Sequence, residues 1–391
     1  MEGIPISSKA TFARDFLSSW RTIADGVTPK VTKTREKYWK AWATYATACK
    51  TDPFLEHTDN LRRDLVVNAF AARVRAGTYG RGSQIRVQGV SDALSAISKT
   101  IQLAGKHSPI YREDGKSYNL STARLLEGYR REDPPAVPQL AVPISVPNQC
   151  YKLAMQSSSP KEEATGQLII IAFYYLLRVG EYTKPRYVTR GGKRIRATRT
   201  KQFSVGNIGF FKNGKIIPRS SPLEVLLSCD SATLKISNQK NGRMGDTIHQ
   251  EAVPDAPACP VKALAYRVHH ILSHGGNNDN LLCDYFNNDE CDSITSNDII
   301  LAIRHAGKVL KLHEQAIDTD LIGAHSLRAG GAMALKLSGA SDTIIMKVGR
   351  WRSLTFTQYI HNQIAHLSKD ISKKMSIPMP FLNIARVEMA A

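Results

Sequence analysis

The sequence predicts a mainly α-helical protein with one small antiparallel β-sheet. It divides into a helical N-terminal domain (1–131), a Pro-rich linker (132–149) and a mixed α+β domain (150–391). Three observations lead there. Apolar residues recur at helical intervals through the first hundred positions, prolines 134, 135, 138, 143 and 147 interrupt that pattern, and residues 200–211 and 234–253 alternate more like strands.

In chain order, residues 33–50 mix Trp39, Trp42, Tyr45 and Ala46 with Arg35, Glu36, Lys37 and Lys40, the pattern of an amphipathic helix. Residues 61–75 and 90–103 repeat it, with Gly77, Gly80, Gly82 and Gly89 as breakers. Proline fixes φ and removes a donor, so 132–149 reads as extended chain. Residues 166–177 form a buried helix because they are almost wholly apolar. Lys240-Asn241-Gly242-Arg243 suits a hairpin turn, since Asn-Gly accepts positive φ. Pro260 opens a helix through Val268 and His269, and Ser296 or Asn297 caps the next, from Ile299 toward Leu310. Gly330 and Gly331 sit inside a helical pattern at a cost relative to alanine, which points to close approach of another backbone. Gly339 ends that helix and Ser341 caps its successor.

Charge narrows the partner. Fifty-three Lys and Arg against 34 Asp and Glu give +19 over 391 residues, which favours a polyanion at the surface, double-stranded DNA first. Arg62, Arg63, Arg73, Arg75, Arg81 and Arg86 have few acidic residues among them and read as a DNA-facing side of the N-terminal domain. The longest apolar run, residues 168–177, is too short to span a bilayer, so no membrane partner is expected. The first residues lack a basic segment followed by an apolar signal core, and the expectation is an intracellular protein, nuclear if its host is eukaryotic. Six scattered cysteines fit reduced thiols. Cys259, Cys283 and Cys291 lie near His269, His270 and His274, but without Cys-x-x-Cys spacing no zinc site is expected.

Cleavage of a phosphodiester without a metal needs a nucleophile, donors for the non-bridging oxygens and an acid for the leaving hydroxyl. His325 and Arg328 are three apart and share one helix face, where a cation beside an imidazole suits a phosphate. Arg178 ends an apolar helix, a place that demands a reason, with Glu181 three residues on. Gly349-Arg350-Trp351-Arg352 precedes Tyr359, which is the only tyrosine after Tyr285.

This ordered set resembles the tyrosine recombinase superfamily, the phage-integrase-like DNA strand-exchange enzymes, over roughly residues 150–376. Their signature is Arg, Lys, His-x-x-Arg, His or Trp, and a late nucleophilic Tyr. The resemblance implies that Tyr359 attacks to form a 3′-phosphotyrosyl bond and that Arg178, His325, Arg328 and Trp351 hold the phosphate. Glu181 helps to organise the site, and Lys240, on a β-hairpin, protonates the departing 5′-hydroxyl; Lys235 is the rival for that role. The covalent link conserves the phosphodiester energy, so neither ATP nor another cofactor or metal is implied. The N-terminal domain becomes a helical core-binding domain forming half of a clamp around the duplex. The assembly becomes a homotetramer on two DNA sites, with the tail around Leu367, Ile371, Phe381 and Leu382 placed to dock on a neighbour. Tyr359 follows Trp351 by eight residues where many prokaryotic members have nine. The Arg-Val-Gly-Glu-Tyr-Thr and Gly-Arg-Trp-Arg-Ser wordings are most similar to recombinases of eukaryotic mobile elements, of the Crypton and DIRS types.

Lys184, Arg186, Arg190, Lys193, Arg194, Arg196, Arg199 and Lys201 crowd one short segment, which phosphates along a duplex would neutralise. Nuclear import is the competing account of the same block. Three other functional readings stand beside the recombinase: a type IB topoisomerase-like nicking-closing enzyme, a domesticated DNA-binding protein that no longer cuts, and a basic scaffold that binds nucleic acid non-specifically. The helix, glycine turn and helix after His325 also fit a helix-turn-helix reader.

Overall fold

The computed structural model describes residues 29–359 apart from 81, 136–139, 191, 199, 238–244, 254–257, 289 and 316, with residues 11, 14, 15, 18 and 19 in addition. The chain forms two compact units, Met1–Val137 with Arg186–Arg199, and Pro138–Pro185 with Thr200–Ala391. The fold class is the predicted one, mainly helical with small antiparallel sheets.

The first unit contains helices α1 (Pro29–Ala48), α2 (Asn60–Arg75), α3 (Val87–Leu103) and α4 (Leu120–Glu132). In α3 the buried residues Val90, Ala93, Leu94, Ile97 and Ile101 recur at helical spacing and line one face. They meet Trp42, Phe70, Val74 and Leu126 in a single core. Trp42 is fully buried, and its indole N–H donates to Pro53 O at 2.8 Å, so its polar atom is not stranded. Asp59 and Asn119 cap α2 and α4 by accepting from Arg62 N and Thr122 N. The sequence reading missed α4, which is short and fully buries only Thr122 and Leu126. Arg75, expected on a DNA-facing side, is instead buried: it pairs with Asp133 and donates to Ile85 O at 2.7 Å, while Asp133 also accepts from Val87 N. Arg62 stays exposed and reaches the carbonyls of Cys49 and Lys50. Arg81 lies outside the described residues.

The basic segment, read without secondary structure, forms a hairpin of β1 (Tyr187–Arg190) and β2 (Lys193–Arg196), with Val188 opposite Ile195. These two are half-buried, while Tyr187, Thr189, Lys193 and Arg194 are exposed. Although the hairpin interrupts the sequence of the second unit, it packs with the first, alongside α1.

The second unit is organised around α6 (Pro160–Tyr174), which follows α5 (Ser145–Met155) and is buried from Ala164 to Phe173. Pro160 occupies its first turn, and Glu162 and Glu163 complement the positive end of its dipole. A four-stranded antiparallel sheet is ordered β4-β3-β5-β6, from β3 (Ile208–Lys212), β4 (Lys215–Ile217), β5 (Ser231–Lys235) and β6 (Thr247–Glu251). Ile208, Phe210, Ala232, Leu234 and Ile248 form its buried face. The strands are shorter than the alternation suggested: a 3₁₀ turn, Val205–Asn207, replaces the early part of 200–211. The predicted Asn-Gly turn lies outside the described residues.

Two bonds fix the sheet to the end of α6, Tyr175 Oη donating to Ala232 O at 3.0 Å and Gln250 Nε2 to Tyr174 O at 2.7 Å. Beyond the short helices α7 (Val179–Tyr182) and α8 (Leu223–Leu227), α9 (Pro260–Ser273) begins at Pro260 as expected. The hairpin β7 (Asp284–Asn287) and β8 (Glu290–Ser293) leads to α10 (Ser296–Val309), capped by Thr295 rather than by Ser296 or Asn297, because Thr295 and Asp298 bond reciprocally. His270 Nε2 accepts from Phe286 N at 3.0 Å and its pKa is pushed down to about 4, by burial first, so this histidine is committed to packing. No helix of the described residues is long and apolar enough to cross a membrane.

The last α-helices among the described residues are α11 (Ser326–Leu337) and α12 (Asp342–Gly349). A Cβ on Gly330 would lie 2.1 Å from Val142 O, and one on Gly331 2.4 Å from Phe173 O. The paired glycines therefore let α11 lie against the α6 backbone and the strand of chain before α5, as their sequence position predicted. Gly339 has φ +85°, and Ser341 caps α12 at Ile344 N. Gly330→Ala should destabilise the protein by roughly 3 kcal/mol, as overpacking against backbone does, whereas Gly339→Ala, with open space around its Cβ, should cost about 1 kcal/mol for its left-handed φ. Denaturant titration checks this, and equal losses would contradict the packing account.

Candidate phosphate-binding site

The site begins where α6 stops. Leu176 takes φ +47°, a left-handed turn that reverses the chain and turns its carbonyl inward. Arg178 follows in extended conformation as the N-cap of α7, and its N–H donates to Glu181 Oε2 at 2.8 Å. Glu181 closes this reciprocal turn, and Arg178 Nη1 reaches its other oxygen at 3.2 Å. The Arg178 side chain is 22% exposed and that of Glu181 only 2%. The arginine is therefore the member of the pair that a ligand can meet.

From the far end of the unit, Arg350 grips the same carboxylate. Its Nη1 and Nη2 donate to Oε1 and Oε2 at 3.1 and 3.0 Å, a two-pronged fork, and Nη2 also donates to Leu176 O at 3.0 Å. Burial pushes the Glu181 pKa up, but Arg350, the Arg178 N–H and the Arg178 charge together outweigh it and hold the carboxyl below its usual range. Glu181 is thus a buried anion at neutral pH.

Arg328 lies on the first turn of α11 and is also buried. Expected to hold the phosphate, it here directs Nη1 and Nη2 at the carbonyls of Leu176 and Gly349. Its guanidinium lies 4.3 Å from the Trp351 ring centre, a cation–π contact. Trp351 in turn packs on Phe356, with 5.6 Å between ring centres, and across Gly349, where a Cβ would meet the indole at 1.7 Å.

His325 stands immediately before α11 with its side chain largely open to solvent. Enough protein crowds its inner edge that the imidazole pKa is lowered, first by that partial desolvation and then by Arg328 and Arg178, with Glu181 opposing. That lowering favours the neutral imidazole, which can donate or accept a hydrogen bond. Tyr359 ends the 3₁₀ segment Leu354–Tyr359, which carries Phe356. The backbone of Tyr359 is described but its side chain is not, and Lys240 lies outside the described residues altogether.

The structure therefore brings Arg178, Glu181, His325, Arg328 and Trp351 together. Arg178 and Arg350 face one carboxylate, and Arg328 stands beside them on the Leu176 carbonyl, a concentration of cations suited to an anion. Arg350 was quoted in the sequence motif without a role. Its signal was a second arginine between Gly349 and an aromatic residue, too little to assign a partner.

No protein-family model and no curated protein matches this chain. Among solved structures, it is similar to the XerH site-specific recombinase bound to palindromic difH substrate in a post-cleavage complex, at 14% identity and a TM-score of 0.46 over 79% of this chain and 72% of that one. It is similar as well to the Tn1549 transposon integrase in complex with transposon right end DNA, at 11% identity and a TM-score of 0.41 over 80% of this chain and 85% of that one. The XerA recombinase gives 13% identity and a TM-score of 0.35 over 88% of this chain and all of that one.

Of the remaining basic residues, Lys184 is paired with Asp292 at 2.5 Å, and Lys201 is exposed. Arg186, Lys193, Arg194 and Arg196 belong to the β1–β2 hairpin and its entry, with Arg194 stacked 4.4 Å over Tyr187. Arg190 contributes backbone to β1, its side chain being outside the described residues, as is Arg199 entirely. Because partial desolvation first, and then the charges of Arg328 and Arg178, depress it, the His325 ring should titrate below the ordinary value of about 6.5, and Arg178→Gln should move its midpoint upward. Ring-proton NMR follows both, and a midpoint at or above the ordinary value would contradict the electrostatics described.

Proposed function

We propose that this protein cuts and rejoins double-stranded DNA through a 3′-phosphotyrosyl intermediate, as a tyrosine recombinase acting on specific sites. One observation carries the reading. Residues as far apart as Glu181 and Arg350, 169 positions, meet in one ion pair, and around it stand the Arg, His-x-x-Arg and Trp groups whose order resembles the family. The backbone of Tyr359 follows on the segment packed against Trp351 through Phe356.

In this reading Arg178 and His325, the partly exposed cation and the neutral imidazole, meet the non-bridging oxygens of the scissile phosphate. Arg328 acts from beneath by its charge and by fixing the carbonyls on which it bonds. Trp351 covers that guanidinium and presents its indole N–H toward the phosphate. The Tyr359 oxygen bonds to phosphorus as the bond to the 5′ oxygen breaks; the phenol loses its proton and Lys240 supplies one to the leaving oxygen. The phosphodiester energy is kept in the tyrosyl ester, so religation needs no nucleotide cofactor.

The hairpin residues Arg186, Arg190, Lys193, Arg194 and Arg196, with Lys184, Arg199 and Lys201, track duplex phosphates outside the cleavage point. A homotetramer on two DNA sites, an origin in a mobile element of the Crypton or DIRS type and a nuclear location complete the proposal. The tetramer is what the superfamily resemblance implies, the element type rests on the Arg-Val-Gly-Glu-Tyr-Thr and Gly-Arg-Trp-Arg-Ser wordings, and the nuclear location rests on the basic block.

The test uses nicked suicide duplexes carrying the termini of the encoding element. The expected result is a denaturation-resistant protein–DNA adduct that disappears in Tyr359→Phe and is slowed by at least about 100-fold in Arg178→Ala, as when a transition-state donor is removed. Salt-dependent binding with no adduct would leave a non-cutting binder, and relaxation of supercoils without exchange between sites would point to a topoisomerase.

A further inference from the structure

Arg350 occupies a place where glycine would be the usual choice. It follows α12 with φ +60° and ψ +37°, and the N–H of Trp351 closes back on Met346 O at 2.9 Å, the six-residue closure that ends many helices on a left-handed residue. A side chain in that conformation is strained, so an arginine there calls for a compensating interaction. The compensation is visible. The side chain is 2% exposed, its two terminal nitrogens are spent on both oxygens of Glu181, and one of them also serves Leu176 O.

Leu176 is itself left-handed, and its carbonyl takes Nη1 of Arg328 as well. Two strained turns, one after α6 and one after α12, are therefore held to each other by two guanidiniums, Arg350 through Leu176 O and Glu181, and Arg328 through Leu176 O and Gly349 O. Arg350 is too deeply buried to meet a phosphate, and its Nε is buried without a hydrogen-bond partner. Arg178, which meets the same carboxylate through its backbone N–H and Nη1, is the partly exposed one. The division of work is geometric: the inner arginine sets Glu181, and Glu181 sets the outer arginine.

We propose that Arg350 is a positioning residue of the cleavage reaction, fixing Arg178 through Glu181 and Arg328 through the Leu176 carbonyl. This rests on the phosphate-cleavage reading above. The groups that face Glu181 are Arg178 from its own turn, Arg350 from the end of α12 and His325 from the start of α11, with Tyr182 beside it; Asp246 acts on Arg350 from the approach to β6. Removing Arg350 leaves a buried carboxylate with fewer cations, so its protonated form gains as pH falls and its grip on the Arg178 N–H weakens.

The experiment compares the full chain with Arg350→Gly, which suits the left-handed backbone, and Arg350→Lys, which keeps the charge without the fork. In the first arm, adduct formation on suicide duplexes is followed between about pH 5 and pH 9, a range that spans the carboxylate and imidazole midpoints. The expected result is a loss of about 100-fold in Arg350→Gly, typical of a misplaced reacting group. The loss should deepen as pH falls, DNA affinity should be retained, and added guanidinium ion should restore part of the rate. Arg350→Lys should fall between the two. An unchanged rate would overturn the proposal, as would a loss equal at every pH that guanidinium does not relieve, which would mark a merely structural role. The second arm needs no catalysis: the Arg178 Nε–H resonance, assigned with Arg178→Lys, should shift in Arg350→Gly and in Arg350→Lys, and an unmoved signal would overturn the proposal. If the wild-type chain forms no adduct, the recombinase reading falls, and the positioning of Arg178 is decided by this resonance alone.

Discussion

A carboxylate buried to 2% exposure between two arginines is the constraint on which the second unit's candidate site depends. Removing one partner of such a pair leaves an uncompensated charge and costs about 3–5 kcal/mol, whereas an exposed pair such as Arg130 with Glu127 belongs to a class worth roughly 0.5 kcal/mol. The Glu181 pair therefore decides local geometry and the surface pair does not. It also explains why two non-glycine residues, Leu176 and Arg350, are tolerated in left-handed conformation. Each donates or accepts a hydrogen bond in the same small network, and neither turn could relax without breaking it.

That network is only as well placed as the elements that deliver it. Helix α6 is buried on nearly every face, so its end is located by packing on all sides, and Tyr175 and Gln250 tie the same end to the sheet. Helix α11 approaches without side chains in the way, because Gly330 and Gly331 lie against carbonyls of Val142 and Phe173. This close approach sets Arg328 within reach of Leu176 O. A core packing decision thus fixes the distance between two arginines that lie far apart in sequence.

Much of this was legible in the sequence, for identifiable reasons. Arg178 stood out because it ended an apolar run, Pro260 because its ring suits a first helical turn, and Gly330 with Gly331 because they cost stability where alanine would not. What escaped notice has equally specific causes. In β1–β2 the only inward pair is Val188 with Ile195, so charge masks the alternation. The cap of α10 lies one residue early because Thr295 and Asp298 satisfy each other, a reciprocity that residue type alone does not distinguish from a serine cap next door. Arg75 read as a surface cation because its partner, Asp133, is 58 residues away. Arg350 shares that difficulty with Glu181 and adds a conformation that sequence patterns assign to glycine.

The arginines of the site also separate two tasks that a single exposed cluster would confuse. Cations gathered in water repel one another and gain little from fixed geometry, because solvent screens them and their side chains keep rotamer freedom. Here Arg328 and Arg350 are taken out of water and committed to carbonyls and a carboxylate, so their positions are set before any ligand arrives. Arg178 and His325 are left nearer the surface, one bearing a charge and the other with its pKa lowered toward the neutral form. The buried pair supplies field and rigidity, and the exposed pair supplies contact. An anion entering this face meets donors whose reorganisation has already been completed by folding, which is the condition under which electrostatic stabilisation of developing charge is largest.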